Sequence, residues 1–192
     1  MSQIILIGGG GHCKSVIDVI EQDGRFEIIG IVDNPELLGS KVLDYLVIGN
    51  DFDLENLAKK YKYALVTVGQ IYSPITRIKL FEMAKKAGFL FPVIISPYAY
   101  VSKHSKIGIG TIVMHNAIVN ANSFIGDNCI INSKALIEHD CSISEHCHIS
   151  TNATINGGVK IGSKCFIGSN VITKENITIK ANSFIKAGSL VK

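Results

Sequence analysis

No stretch of this chain is apolar for long enough to cross a bilayer as a helix. The N-terminus, Met1-Ser2-Gln3-Ile4, lacks the basic segment of a secretory signal and runs straight into an apolar, glycine-ended strand. The sequence therefore reads as soluble and cytoplasmic, without a membrane partner. Charge of one sign is also scarce, since 19 Lys and Arg stand against 16 Asp and Glu, a net +3. That small excess suits anionic small molecules and is too weak for a nucleic-acid surface. Low-complexity tracts are missing. The 192 residues suffice for one large core or two small ones. Cysteine is sparse: Cys13 stands alone, and Cys129, Cys141, Cys147 and Cys165 lie at multiples of six from one another. That arithmetic points away from a disulfide frame or a metal site.

What the chain has is a repeat. From Val101 it divides without insertion into fifteen six-residue units ending at Leu190, with Ile95–Tyr100 a plausible sixteenth. The first position is Val or Ile in fourteen of the fifteen. The fifth is Ser, Thr, Ala, Cys or Val in fourteen, and the fourth is Asn, Gly or Asp in eleven. One large β-branched and one small residue point inward from each short strand. A corner residue tolerating positive φ then turns the chain. Three strands per turn make a triangular prism of eighteen residues per coil, with coils stacked about 4.8 Å apart. The unit Thr173–Thr178 exchanges large for small, with Thr173 first and Ile177 fifth, which keeps the interior filled.

Residues 1–92 alternate strand and helix. Strands are expected at Gln3–Ile7, Ile28–Val32, Leu46–Ile48 and Ala64–Val68, and helices at His12–Gln22, Leu54–Lys60 and Ile75–Ala87. This predicts a small Rossmann-like α/β domain with a mostly parallel sheet over 1–92, and an all-β prism over 93–192. The turn Gly8-Gly9-Gly10-Gly11 between the first strand and helix is a phosphate-binding device, and Asp33 ends the second strand where an acid often meets a ribose hydroxyl. Cys13 occupies the third dinucleotide-fingerprint position, so a nucleotide fits better than a nicotinamide cofactor.

Histidines, cysteines and acids concentrate between Ile137 and His148. Zinc is the tempting reading, yet the repeat gives most of these residues structural duties. Cys141 and Cys147 are inward fifth positions, and Cys129, Cys147 and Cys165 form a stacked column. His104 and His146 are fourth-position corners, expected at positive φ. His115 has no acid beside it and receives no role. His139 differs, because it sits at a corner between Glu138 and Asp140. A carboxylate beside an imidazole fixes its tautomer and stabilises the imidazolium, as a general base requires. One coil onward lies Gly157-Gly158, the only double glycine of the prism. Two bare backbone positions there let a ligand approach and offer N–H donors. His148 could be a satisfied interface histidine or a contact for an acyl donor.

The GGGGH turn after the first strand, the small α/β domain and an uninterrupted prism bearing EHDC and HCHIS resemble the bacterial hexapeptide-repeat sugar acyltransferases. That family includes the UDP-4-amino-sugar (bacillosamine-type) N-acetyltransferases and the sialic-acid O-acetyltransferases. The resemblance covers nearly the full chain. It implies a left-handed β-helix, acetyl-CoA as co-substrate, no metal, and a homotrimer with active sites between subunits. It makes His139 the base and Asp140 its supporting acid. His148 and Gly157 would touch acetyl-CoA, while Gly10, Gly11, His12, Asp33, Asn34 and Gly69 would line a nucleotide-sugar pocket. The sequence departs from the family where Asn34 replaces a frequent second acid and where Ala187, followed by Gly188, replaces a glycine at the CoA tail. The Gly-Val/Asn-Pro-Ala ending of the family is missing as well.

The expected reaction is N-acetylation of an amino sugar carried on a nucleotide, for surface or protein glycan synthesis. O-acetylation of sialic acid or another sugar would use the same base. Metal hydrolysis needs three convergent histidines, of which no third is found. A non-catalytic scaffold or nucleotide-sugar sensor would leave the His–acid pair and the paired glycines without a purpose.

Overall fold

Ile4, Ile5, Leu6 and Ile7 are all buried, which a strand achieves only when both of its faces are covered. This strand, β1 (Ser2–Ile7), is central to a five-stranded sheet within the computed structural model, which describes residues 1–192. The chain then forms α1 (Gly11–Asp23), β2 (Phe26–Val32), β3 (Lys41–Val42), β4 (Tyr45–Gly49), α2 (Leu54–Ala58), β5 (Tyr63–Val66) and α3 (Ile75–Ala87). The sheet order is β3-β4-β2-β1-β5, parallel except for β3 at the edge. Because β2 and β5 flank β1, the strand order reverses at β1. The turn that follows it therefore opens at the crevice where such sheets bind ligands.

Two local differences from expectation have physical causes. The β3–β4 hairpin was not foreseen, because its turn places Leu43 at φ 52 where a glycine or asparagine would have announced it. β5 stops at Val66, two residues early. There Thr67 Oγ1 donates to Gly8 O, and the buried Arg77 guanidinium donates to Val66 O and Val68 O. Side chains thus take the carbonyls that a longer strand would have used.

The chain divides into two compact units, residues 1–69 with 75–92, and residues 70–74 with 93–192. The second is the prism. Its strands are two residues long and fall into three parallel sheets of six, five and six strands. Partners lie eighteen residues apart, as in Ile118↔Leu136, Phe124↔Ser142 and Ile130↔His148. The first coil begins at Ile94–Ile95, which pair with Ile112–Val113.

First-position and fifth-position residues fill the interior, including Ile131, Ile137, Ile143, Ile149, Cys129, Cys141 and Cys147. The fifth position also needs a donor as well as a small volume. Thr111 Oγ1 donates to Gly126 O (2.8 Å), Ser123 Oγ to Glu138 O (2.7 Å), Cys147 Sγ to Gly162 O (3.1 Å) and Cys165 Sγ to Lys180 O (3.1 Å). Each bond satisfies a carbonyl fifteen residues ahead that would otherwise face the core. Thr173 and Ile177 exchange roles as expected. Thr173 is buried and its Oγ1 accepts from Asn156 N, while Ile177 packs against the core.

From Gly110 to Gly188 every fourth-position residue has positive φ, including Lys134 and Lys164. The coil thus imposes the left-handed corner even on residues that do not favour it. His146 conforms at φ 59, whereas His104 does not adopt positive φ. His104 lies in the first coil, ahead of the unbroken run of left-handed corners that begins at Gly110.

Candidate active site

The strand Leu136–Ile137 ends at a corner where Glu138, His139 and Asp140 follow in sequence. The corner is fixed by Asp140 at φ 61, by Asp140 N donating to Ala121 O, and by Gly158 N donating to His139 O. Inward-facing Ile137 and Cys141 anchor either side. The three polar side chains between them must therefore point outward.

His139 Nδ1 lies 2.7 Å from Asp140 Oδ2. A carboxylate accepts only, so Nδ1 carries the proton and Nε2 is left as the acceptor. Asp140 Oδ1 in turn accepts from Asn122 Nδ2 at 2.6 Å. These bonds, the one from Asn122 first and that from His139 second, hold the Asp140 carboxyl below its ordinary pKa. Asp140 thus remains anionic across the working range.

Gly157 lies one coil beyond. A β-carbon placed there would meet His139 Cε1 at 2.8 Å and Nε2 at 2.9 Å, so the imidazole leans over a surface only glycine leaves open. The carbonyl of Gly157 accepts from Asn176 N, and its N–H makes no hydrogen bond within the chain. Gly158 holds the same corner at φ 70. The open cleft is lined by Glu138, His139, Asp140, Asn156, Glu175 and Asn176 around the two glycines. Glu138 Oε2 accepts from Asn120 Nδ2 at 2.9 Å, and Asn156 Nδ2 donates to Thr173 O. Asn156 and Glu175 were not singled out from sequence. Adding eighteen to Glu138 and to Gly157 would have found them.

The remaining expected residues lie elsewhere. His148 is buried on a different sheet of the prism. Its Nδ1 bonds the Gln70 carbonyl, its Nε2 pairs with Asn132 Nδ2 at 3.2 Å, and its ring meets Phe166 edge-on. Gln70 is itself buried and donates from Nε2 to His146 O at 2.9 Å. It sits in an aperiodic loop, so the sequence held no signal for it. Ala187 and Gly188 form an exposed corner, with Gly188 at φ 73.

Within the α/β unit, Gly10 caps α1 without a side-chain cap bond, and Gly11 begins the helix, leaving outward N–H groups. Gly69 lies against His12, where a β-carbon would touch His12 Cβ at 3.5 Å. The Asp33 carboxylate already accepts from Gly9 N and from Asn34 N, so it braces the glycine turn. Its remaining lone pairs are available to a ribose. Asp33 and Asn34 also border a cavity with Pro35, Asn50, Phe52 and Lys79. No group of three or more His, Cys, Asp or Glu side chains is arranged to hold a metal ion.

Comparison with known proteins agrees with this architecture. Residues 3–84 match the family model of the PglD N-terminal domain, and residues 122–157 match that of bacterial transferase hexapeptide repeats. PerB from Caulobacter crescentus, solved in complex with CoA and GDP-perosamine, is 33% identical with a TM-score of 0.92, covering 100% of this chain and 89% of its own. The acetyltransferase domain of PglB from Neisseria gonorrhoeae is 32% identical with a TM-score of 0.92, covering 100% and 92%. WeeI from Acinetobacter baumannii, 19% identical with a TM-score of 0.75, shares the fold. No curated protein sequence matches. The prism and its α/β partner thus define a left-handed β-helix acyltransferase. Within that class, the chain belongs to the hexapeptide-repeat sugar N-acetyltransferases.

Proposed function

We propose that this chain transfers the acetyl group of acetyl-CoA to the amino group of a nucleotide-linked amino sugar, with His139 as general base. The observation that carries this reading is the Asp140-held imidazole whose free Nε2 overhangs Gly157. The neutral sugar amine attacks the thioester carbonyl while Nε2 of His139 takes its proton. The Gly157 N–H stabilises the oxyanion, and Asp140 stabilises the imidazolium. Collapse of the tetrahedral intermediate breaks the C–S bond. The CoA thiolate leaves and receives the proton from His139. Gly10, Gly11, His12, Asp33, Asn34 and Gly69 bind the nucleotide sugar, with the uncapped start of α1 facing its phosphates. Gly157, Ala187 and Gly188 contact the acetyl-CoA. His148, locked by Gln70 and Asn132, serves that binding by shaping the wall beside Phe166.

The assembly is a homotrimer with sites between subunits. In support, one outer face of the prism carries a mainly apolar column of Tyr100, Ile118, Leu136, Thr154, Ile172 and Leu190, in which Tyr100, Ile118, Ile172 and Leu190 are exposed. Exposed apolar surface of this kind favours an interface. The setting is the cytoplasm, which supplies acetyl-CoA and nucleotide sugars and keeps the five free cysteines reduced. No helix of the chain is long and apolar enough to cross a membrane.

Incubating the protein and acetyl-CoA with UDP- and GDP-linked 4-amino sugars and with free sialic acid, scoring CoA release, tests the reaction. Release with an amino-sugar nucleotide is expected. Release with sialic acid alone would move the activity to O-acetylation.

A further inference from the structure

β4 ends in a turn whose engaged and unengaged side chains are distinct. Asn50 Oδ1 accepts from Phe52 N at 2.9 Å, and Asn50 N donates to Asp53 Oδ2 at 2.8 Å. This reciprocal cap holds residues 50–53 in place and occupies Asn50 and Asp53. The two residues between them remain open. The Asp51 carboxylate accepts no hydrogen bond within the chain, and Phe52, 88% exposed, has a ring face free for stacking. Both border a cavity that also meets Asp33, the apolar side chains of Pro35 and Met83, and Lys79 from α3. Asp33 is already turned toward Gly9 N and Asn34 N. Asp51 is therefore the unengaged carboxylate of the cavity, and Lys79, with no ion-pair partner in the chain, is its cation. The space is about 110 Å³, whereas one water needs only about 10–15 Å³. A flat ring fits it better than an ion does.

The cavity adjoins Asp33, which the reading above assigns to the nucleotide sugar, so the ring within reach is the nucleobase. The bases differ in the edge they present. Guanine places two donors side by side, N1–H and the 2-amino group, with the acceptors O6 and N7 beyond them. Uracil alternates acceptor, donor and acceptor, while adenine and cytosine set a bare ring nitrogen next to their amine. A carboxylate accepts through both oxygens and donates nothing. It therefore matches guanine and meets a repelling lone pair on each of the others. A lysine ammonium suits O6 and N7. We infer that this cavity selects guanine, with Asp51 accepting from N1–H and the 2-amino group, Lys79 donating to O6 or N7, and Phe52 stacking on the ring. The acceptor is then a GDP-linked amino sugar. This rests on the nucleotide-sugar reading above and adds to it which nucleotide is bound and which residues read it.

The test is calorimetric titration of the full-length protein with GDP, UDP and inosine diphosphate, which differs from GDP only in lacking the 2-amino group. Wild type should bind GDP about tenfold or more tighter than UDP, because a site built for a hydrogen-bonding edge rejects a ligand without it. Inosine diphosphate should be weaker than GDP by about tenfold or more, having lost one bond to a charged acceptor. Asp51→Asn should weaken GDP by about 10- to 100-fold and erase its margin over inosine diphosphate. Lys79→Met should weaken both purine nucleotides alike, since both carry O6 and N7, and so preserve that margin. Neither variant should alter UDP binding. In turnover, kcat/KM with a GDP-linked 4-amino sugar should exceed that with its UDP-linked counterpart. UDP bound as tightly as GDP by wild type overturns the inference and leaves the nucleotide-sugar reading standing. An unchanged margin between GDP and inosine diphosphate in Asp51→Asn also overturns it. Wild type that binds none of the three removes the nucleotide-sugar reading and the inference with it.

Discussion

The imidazole of His139 is bonded through Nδ1 to Asp140, the next residue in the chain, at 2.7 Å. Adjacent residues rarely face one another, and here they do because Asp140 occupies the left-handed corner that swings its carboxylate back. The same corner that turns the coil also presets the base.

Replacing Asp140 with Asn keeps a corner-forming residue and removes the charge. The variant should fold normally, bind CoA as before, and lose about 10- to 100-fold in kcat, because the imidazolium formed during reaction loses its counter-ion. Steady-state kinetics with fixed amino-sugar nucleotide checks this. Unchanged kcat would reduce Asp140 to a corner residue.

Gly157→Ala introduces no backbone strain, since Gly157 is not among the positive-φ glycines, yet its methyl group would enter the imidazole at under 3 Å. The ring must swing away. A kcat lowered by about 10-fold or more is expected, with thermal stability little altered because the site is exposed.

The carboxyl of Asp140 titrates below its ordinary value chiefly because Asn122 donates to it. A depressed folded pKa gives stability that is present above the unfolded value and lost as pH falls through the folded one. Carboxyl carbon NMR should therefore show Asp140 titrating below an exposed aspartate. Asn122→Ala should move it upward. An unchanged titration in that variant would reassign the cause to His139.

All five cysteines are free and buried; burial raises Cys13 to about 11, and the hydrogen bond with Cys129, together with burial, raises Cys147 to about 12. Thiolate is the reactive form, so the native protein should show no fast reaction with a thiol-specific disulfide reagent. Five thiols should appear on denaturation. Rapid modification in the native state would mean that the prism opens locally.

The prism was legible because every structural demand falls on a fixed column. Ile137, Asp140 and Cys141 announce strand, corner and core from spacing alone, and the eighteen-residue coil then brings Gly157 to His139 by counting. Where the fold departs from the period, the sequence is quiet. Leu43 takes a turn conformation that its type does not signal. Gln70 reaches His146 and His148 across more than seventy positions from a loop with no pattern. The cavity bordered by Asn34, Asn50 and Lys79 unites the ends of two strands with a helix remote in sequence. Such contacts arise from tertiary packing, which a local pattern does not encode.

The most direct measurement compares wild type and His139→Ala for CoA release from acetyl-CoA in the presence of an accepted amino-sugar nucleotide. CoA affinity and the oligomeric state are recorded for both proteins. Turnover should drop by roughly 10²–10⁴ in the variant while binding and assembly persist. A variant that turns over within a few-fold of wild type would remove the imidazole from the chemistry and the mechanism with it.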